Sequence, residues 1–389
     1  MKEFSIFKKG ELNLHLQQLE TAAIDLEKAR SQRDGYSREK AEMRLQEAAK
    51  QCADIEATIA YLWLKATESD LDTKVREAWQ PSLIRSLSEL RSLNLQPHLT
   101  DITIFPPGSW AIEFTFTLWK PYISRDDTDF YILDNPVKKE WVFKVPYVAP
   151  SQWKGALRSA MMHELIAKLK CGTIDEQGFI DERLQYYRFF GNEKDGTSDF
   201  LNQALARYLV GEPHQDGQGN QNWEKSFEAK VKEIGEVFEF MLRERCYLQG
   251  DVEGYRGCLH FYPTFFNKIG LEVINPHNRE TGAGSQPIYF ECVPGITKDK
   301  DGNEVRTPGT FILLYVPLGG QELAPEEIKE QEVEDLKLLA RGIKAMITCY
   351  GFGAKTSSGF GVGEVDPTVA TIKPEEFRIH WQTAWERTP

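Results

Sequence analysis

A glycine-rich stretch near the end of the chain limits its possible folds more than any other feature. It reads Cys349-Tyr350-Gly351-Phe352-Gly353-Ala354-Lys355-Thr356-Ser357-Ser358-Gly359-Phe360-Gly361-Val362-Gly363. The spacing of apolar residues predicts a long amphipathic helix before it, Pro325 to Tyr350, and a short strand after it, Val362 to Val365. Glycine brings backbone N–H groups close to a ligand with no Cβ in the way. Successive N–H groups in such turns form anion-binding concavities, and a lysine adds a point charge. Gly351, Gly353, Lys355, Thr356, Ser357, Gly359 and Gly361 are therefore candidate phosphate contacts. A connection that serves only to reverse the chain is the competing reading. Two nucleotide motifs fail at this stretch. A P-loop places its glycines between strand and helix, whereas Cys349 and Ala354 occupy the two glycine positions and the loop follows a helix. A dinucleotide fingerprint needs the same strand-to-helix order. No nucleotide cofactor is expected.

The 389 residues suffice for one large or two ordinary domains. Six cysteines without a Cys-x-x-Cys pair argue against a zinc site and a disulfide framework, as in a reducing compartment. No apolar run approaches a membrane span and Met1 to Ser5 form no signal region, so a cytoplasmic protein without membrane contact is expected. The net charge of -12 opposes a nucleic-acid role, because such proteins usually carry a basic footprint. Acidic runs such as Pro325 to Glu332 fall on predicted helices, however, while the candidate phosphate-binding stretches carry lysine and arginine.

Residues 11–94 read as helix almost throughout, with Leu12, Leu16, Leu19, Ala23 and Leu26 on one face and breaks at Gly35 and Pro81. We expect a helical hairpin or small bundle over residues 1–95 that packs against a neighbour or docks a partner. Residues 96–389 read as an α+β domain. Ser109 to Leu118 alternates as a half-buried strand, and a loop, Tyr122 to Glu140, holds Asp126, Asp127, Asp129 and Asp134. A second strand is predicted over Trp141 to Val148. Ser151 is placed to cap a helix running to Lys170, with Gly172 ending it. Lys154 and Arg158, four apart, share a face near that helix's N-terminus, where its dipole favours anions. A mostly helical insertion is expected at 173–250, followed by strands near Arg256–Pro263, Leu271–Ile274, Ile288–Val293 and Thr310–Pro317. Strand, helix, strands, helix, glycine loop, strand is the order of a ferredoxin-like (RRM-like) domain with large insertions, a fold whose relatives bind single-stranded RNA on an open sheet face.

The run Tyr147-Val148-Ala149-Pro150-Ser151-Gln152-Trp153-Lys154-Gly155-Ala156-Leu157-Arg158 resembles a helix start of the RAMP superfamily, the repeat-associated proteins of CRISPR effector complexes. Gly351 to Gly363 is similar to that family's C-terminal glycine signature, and Arg256-Gly257-Cys258-Leu259-His260-Phe261 to its middle strand. The resemblance spans about residues 100–366 and implies a subunit of a type III effector. Such a subunit binds guide RNA, meets single-stranded target RNA and contacts neighbouring subunits. Lys154, Arg158, Ser151, Lys355 and the glycine loop would hold guide phosphates. Tyr131 to Val137 resembles the loop in which a backbone subunit's aspartate cuts target RNA, with Asp134 at the matching position. Leu271 to His277 resembles the capping subunit of Cmr-type complexes, with Asn278 where that family has an aromatic. The resemblance thus implies either an endoribonuclease acting through Asp134 or a non-catalytic capping subunit. Cleavage would call for Mg²⁺ or another divalent cation, and Asp126, Asp127 and Asp129 are candidate ligands, although loop aspartates are more often turn formers. His277 reads as a base or a ligand or, next to Pro276 in a turn, as a structural residue or an RNA contact.

Overall fold

The computed structural model describes residues 84–99, 101–125, 135–192, 196–213, 220–247, 255–276, 287–298, 302–317 and 325–386, with Gly284 and isolated positions between 18 and 48. Most of the expected N-terminal hairpin lies outside the described residues; residues 84–92 are helical.

The first strand, β1 (Trp110–Leu118), follows the alternation read from the sequence, burying Ile112, Phe114, Phe116 and Leu118. The second strand is much shorter than expected: β2 is only Tyr147–Val148. Residues 141–143 form a turn instead, because the Glu140 carboxylate accepts from the amides of Val142 (2.8 Å) and Phe143 (2.6 Å) and Lys144 takes a left-handed φ of 55°. Local side-chain capping overrides a β-prone composition at this point. Helix α1 (Pro150–Lys170) begins earlier than Ser151. Ala149 is its N-cap, whose methyl side chain can accept no bond, and Pro150, with its preset φ, occupies the first turn. Gly172, at φ 67°, ends the helix as expected.

The region 173–250 contains three helices, α2 (Glu176–Phe190), α3 (Thr197–Val210) and α4 (Asn220–Glu244). Buried Arg183 joins them: from α2 it donates to Asn202 of α3 at 2.7 Å and lies 3.7 Å over the Phe238 ring of α4. The β-rich part follows as β3 (Leu259–Phe261), β4 (Thr264–Phe265), β5 (Gly270–Ile274), β6 (Ile288–Cys292), β7 (Ile296–Lys298), β8 (Glu304–Arg306) and β9 (Pro308–Tyr315). Helix α5 (Pro325–Ala345) continues as a π-helical turn, Met346–Tyr350, before the glycine loop; β10 (Gly363–Val365), β11 (Thr371–Lys373) and α6 (Arg378–Glu386) complete the described elements.

The main sheet has the order β10–β1–β9–β3, with every neighbouring pair antiparallel, and β11 continues the β10 edge of β1. Central β1 pairs with β9 from Trp110↔Tyr315 to Thr117↔Pro308. The connection from β1 to β3 runs through α1, that from β9 to β10 through α5, and the two helices pack together. Aromatic side chains fill the space beneath them. Trp153 of α1 sits 5.0 Å from Phe311 and 4.4 Å from Phe352, while Trp381 of α6 closes over Phe114 at 5.8 Å. Pairs at such separations contribute on the order of 1 kcal/mol each beyond the area they bury. A buried ion pair, Arg188 on α2 with Asp335 on α5, fastens the inserted helices to this core. Among the described residues no helix is long and apolar enough to cross a membrane.

Candidate nucleic-acid interface

The sequence candidates fall into two groups. Ser151, Lys154 and Arg158 share the start of α1, and there the fold adds residues remote in sequence. Segment 255–258 is clamped to the end of α2: Asn192 donates to the Tyr255 carbonyl (3.3 Å) and Cys258 to the Arg188 carbonyl (2.9 Å). Gly257 permits this approach, since a Cβ there would collide with the backbone of Phe189 and Phe190. The clamp leaves the Arg256 side chain exposed, and pairing of β3 with β9 (His260↔Leu314) sets His260 beside it.

The outcome is an open cleft of about 300 Å³ lined by Ser151, Lys154, Tyr255, Arg256 and His260, with Pro150 and apolar neighbours. Among the described residues that line it, none is acidic. In a chain of net charge -12 that exclusion concentrates positive potential. The groups feel one another. Burial, and then the charges of Arg158 and Arg256, push the Lys154 ammonium below its ordinary value. Burial, Arg256 and Lys154 likewise push the His260 imidazole down, so that it stays neutral near pH 7. Arg158 also donates to Thr197 Oγ1 at 2.5 Å, which steadies its guanidinium against α3.

The second group is the glycine loop, six of whose amides bond to carbonyls of the chain itself. Gly351 donates to Met346, Phe352 to Gly361, Ala354 to Ile123, Ser358 to Lys355, Gly359 to Thr356 and Gly361 to Pro121. Gly353 abuts the Ile123 carbonyl too closely for a Cβ. Much of the glycine content therefore answers to backbone packing, the competing reading of the sequence. Thr356 and Ser357 lie in a short 3-10 turn. Lys355 is different: it is exposed, holds a left-handed φ of 59°, and extends its ammonium over the Phe290 ring at 4.9 Å. A non-glycine residue in that region carries local strain, a feature that clusters at functional sites.

Strand β6 gathers more than Lys355. Asn135 accepts from the Glu291 amide at 3.0 Å and donates through Nδ2 to Tyr289, and buried Lys139 pairs with Glu291. The end of the aspartate loop is thus pinned to the strand that Lys355 touches. Asp126, Asp127, Asp129, Asp134 and His277 themselves lie outside the described residues. Among the described residues no group of acidic, His and Cys side chains is arranged to hold a metal ion. The two groups meet through Tyr122, which donates to Gln152 of α1 at 2.7 Å and packs on Phe352 of the glycine loop at 5.5 Å.

The model of the RAMP superfamily matches residues 129–364, more than half of the chain. This chain belongs to the RAMP superfamily. The match takes in α1, the cleft and the whole of the glycine loop. No curated protein sequence matches this RAMP protein. Among solved structures it is similar to a chain of the Type III-B Cmr-beta complex bound to cognate target RNA, at 10% identity and a TM-score of 0.37, covering 91% of this chain and 98% of that one. A chain of the Cmr-beta complex in its apo state has 12% identity and a TM-score of 0.30, with 66% and 96% covered. Csc2 of Thermofilum pendens has 14% identity and a TM-score of 0.29, with 78% and 80% covered.

Sequence reasoning does not single out Arg256 and His260 as site residues, although both lie inside the middle-strand motif. Their only local signal is a cation next to a glycine that the fold needs for a close approach.

Proposed function

We infer that this RAMP protein is a guide-RNA-binding subunit of a type III CRISPR effector and that Asp134 contributes to cleavage of the paired target RNA. The observation that carries the RNA-binding part is the cleft of Lys154, Arg256 and His260, which no carboxylate lines among the described residues of an acidic chain. Lys154, Arg158, Arg256 and Lys355 would hold guide phosphates, which positions the RNA and leaves sequence reading to base pairing. The strand order β10–β1–β9–β3 supports a ferredoxin-like reading of the domain.

Asp134 directly precedes the pinned Asn135. It would orient a ribose 2′-hydroxyl or take its proton as the 2′-oxygen attacks phosphorus and the 5′-oxygen leaves. The loop aspartates would hold Mg²⁺ or another divalent cation, which would supply charge to the phosphate. The second reading is a non-catalytic subunit that holds guide RNA and its neighbours. It is favoured by the amides of Gly351, Phe352, Ala354 and Gly361, which bond within the protein.

End-labelled target RNA given to the reconstituted complex with Mg²⁺ separates the two. Loss of one cut in Asp134→Ala, with assembly and guide binding intact, supports the nuclease. An unchanged ladder overturns it in favour of the scaffold.

A further inference from the structure

The cleft at the start of α1 contains one group whose charge is adjustable near neutral pH. His260 faces Lys154 of α1 and Arg256 of the segment before β3, with Arg158 one helical turn beyond Lys154, while the Tyr255 hydroxyl lies 3.9 Å from Cys258 Sγ. Leu314, its partner on β9, carries no charge. No carboxylate lines the cleft among the described residues, so none of those residues balances a third positive charge there. Adding an anion would change that balance: a phosphate beside Lys154 and Arg256 offsets the repulsion that, after burial, holds the imidazole's value down.

The seat described next rests on the RNA-binding reading above and deepens it. We propose that the cleft seats one backbone phosphate of the RNA between Lys154, Arg256 and His260, and that His260 takes up a proton as the phosphate enters. The imidazolium then donates a charge-assisted hydrogen bond to a phosphate oxygen. The proton comes from solvent and returns there on release, so RNA affinity depends on pH through this residue. Tightening occurs as pH falls through the His260 value in the complex and levels off below its value in the unliganded protein, where the proton is already bound.

The test is binding of a 5′-hydroxyl single-stranded RNA to the full chain at constant ionic strength, from about pH 5 to pH 8. The wild type should bind more tightly as pH falls, by up to about tenfold per pH unit, the limit for one proton taken up. His260→Gln should flatten this slope and bind at every pH about as the wild type does at high pH. Arg256→Gln should weaken binding and shrink the slope, because the phosphate no longer sits beside the imidazole. Inorganic phosphate, in place of chloride of equal ionic strength, should compete no better than chloride if the site takes a diester in a chain. Specific competition by phosphate would reassign the seat to a free or terminal phosphate. RNA binding with a flat wild-type pH profile, or an unchanged slope in His260→Gln, overturns the proton-linked seat but leaves RNA binding standing. Absence of RNA binding at every pH overturns both.

Discussion

The amide of Phe352 donates to the carbonyl of Gly361 at 3.2 Å, and Gly361, at φ 71°, has no space for a side chain because a Cβ there would overlap the Phe352 carbonyl. This contact folds the glycine loop back on itself and presses Phe352 against Trp153. Gly361→Ala should destabilise the chain by more than about 2 kcal/mol, combining left-handed strain with a steric clash. Gly359, with a similar φ of 80° but open surroundings, should lose only about 1 kcal/mol as alanine. Urea unfolding of the two variants makes the comparison, and equal losses would remove the packing role assigned to Gly361.

Asp335 accepts from Arg188 through both carboxylate oxygens and from the Tyr315 hydroxyl at 2.8 Å, all in burial. Asp335→Ala leaves the Arg188 guanidinium buried and uncompensated, which costs about 3–5 kcal/mol. Tyr315→Phe removes one donor and keeps the ring stacked on Trp110, so about 1 kcal/mol is expected. Denaturation midpoints that rank the two the other way would show that the pair is not what fastens α2 to α5.

His260 gives the unliganded protein a defined acid response. Its value lies below the ordinary 6.5, chiefly through burial and then through Arg256 and Lys154. A depressed value means that the unfolded chain binds the proton more readily. The contribution to stability is therefore present above pH 6.5 and is lost as pH falls through the lowered folded value. His260→Gln should lose less stability than the wild type on acidification through that window. Thermal unfolding against pH checks this, and parallel curves would place His260 away from the cations. Bound RNA should reverse the sign of the effect.

Salt dependence sorts the phosphate contacts. Each cation that touches an RNA phosphate should lower the slope of log K against log salt by about 0.7 when removed. Lys154→Ala, Arg256→Ala and Lys355→Ala are expected to lower it by that amount singly and to add when combined. Lys337, which pairs with Glu334 on an exposed face of α5, provides the control and should leave the slope unchanged. A slope that ignores Lys355 would confine RNA contact to the cleft.

Much of this architecture is legible in the sequence wherever neighbouring residues decide it. Burial on one sheet face forces the alternation of Ile112, Phe114, Phe116 and Leu118, and the helical periods of the insertion follow from the same demand. Proline and glycine punctuation marks the start and end of α1. The same local logic misleads at Trp141 to Val148, where β-prone residues yield to the Glu140 cap and the left-handed Lys144. It also misplaces the cap of α1, since Pro150 enters the helix before Ser151. Residues 126–134 and 277 fall outside the described residues, so Asp134 and His277 remain as the sequence presents them.

By itself, then, the sequence determined the order of elements, the apolar faces and the family motifs, because each depends on residues a few positions apart. Tertiary structure alone decided which side chains of the cleft meet. Lys154 and His260 are brought together by the clamp of segment 255–258 on α2 and by the register of β3 on β9, contacts between distant parts of the chain. It also decided what the glycines do. An amide that contacts a phosphate and one that contacts its own chain have the same sequence, and only the position of the Phe352, Ile123 and Pro121 carbonyls distinguishes them.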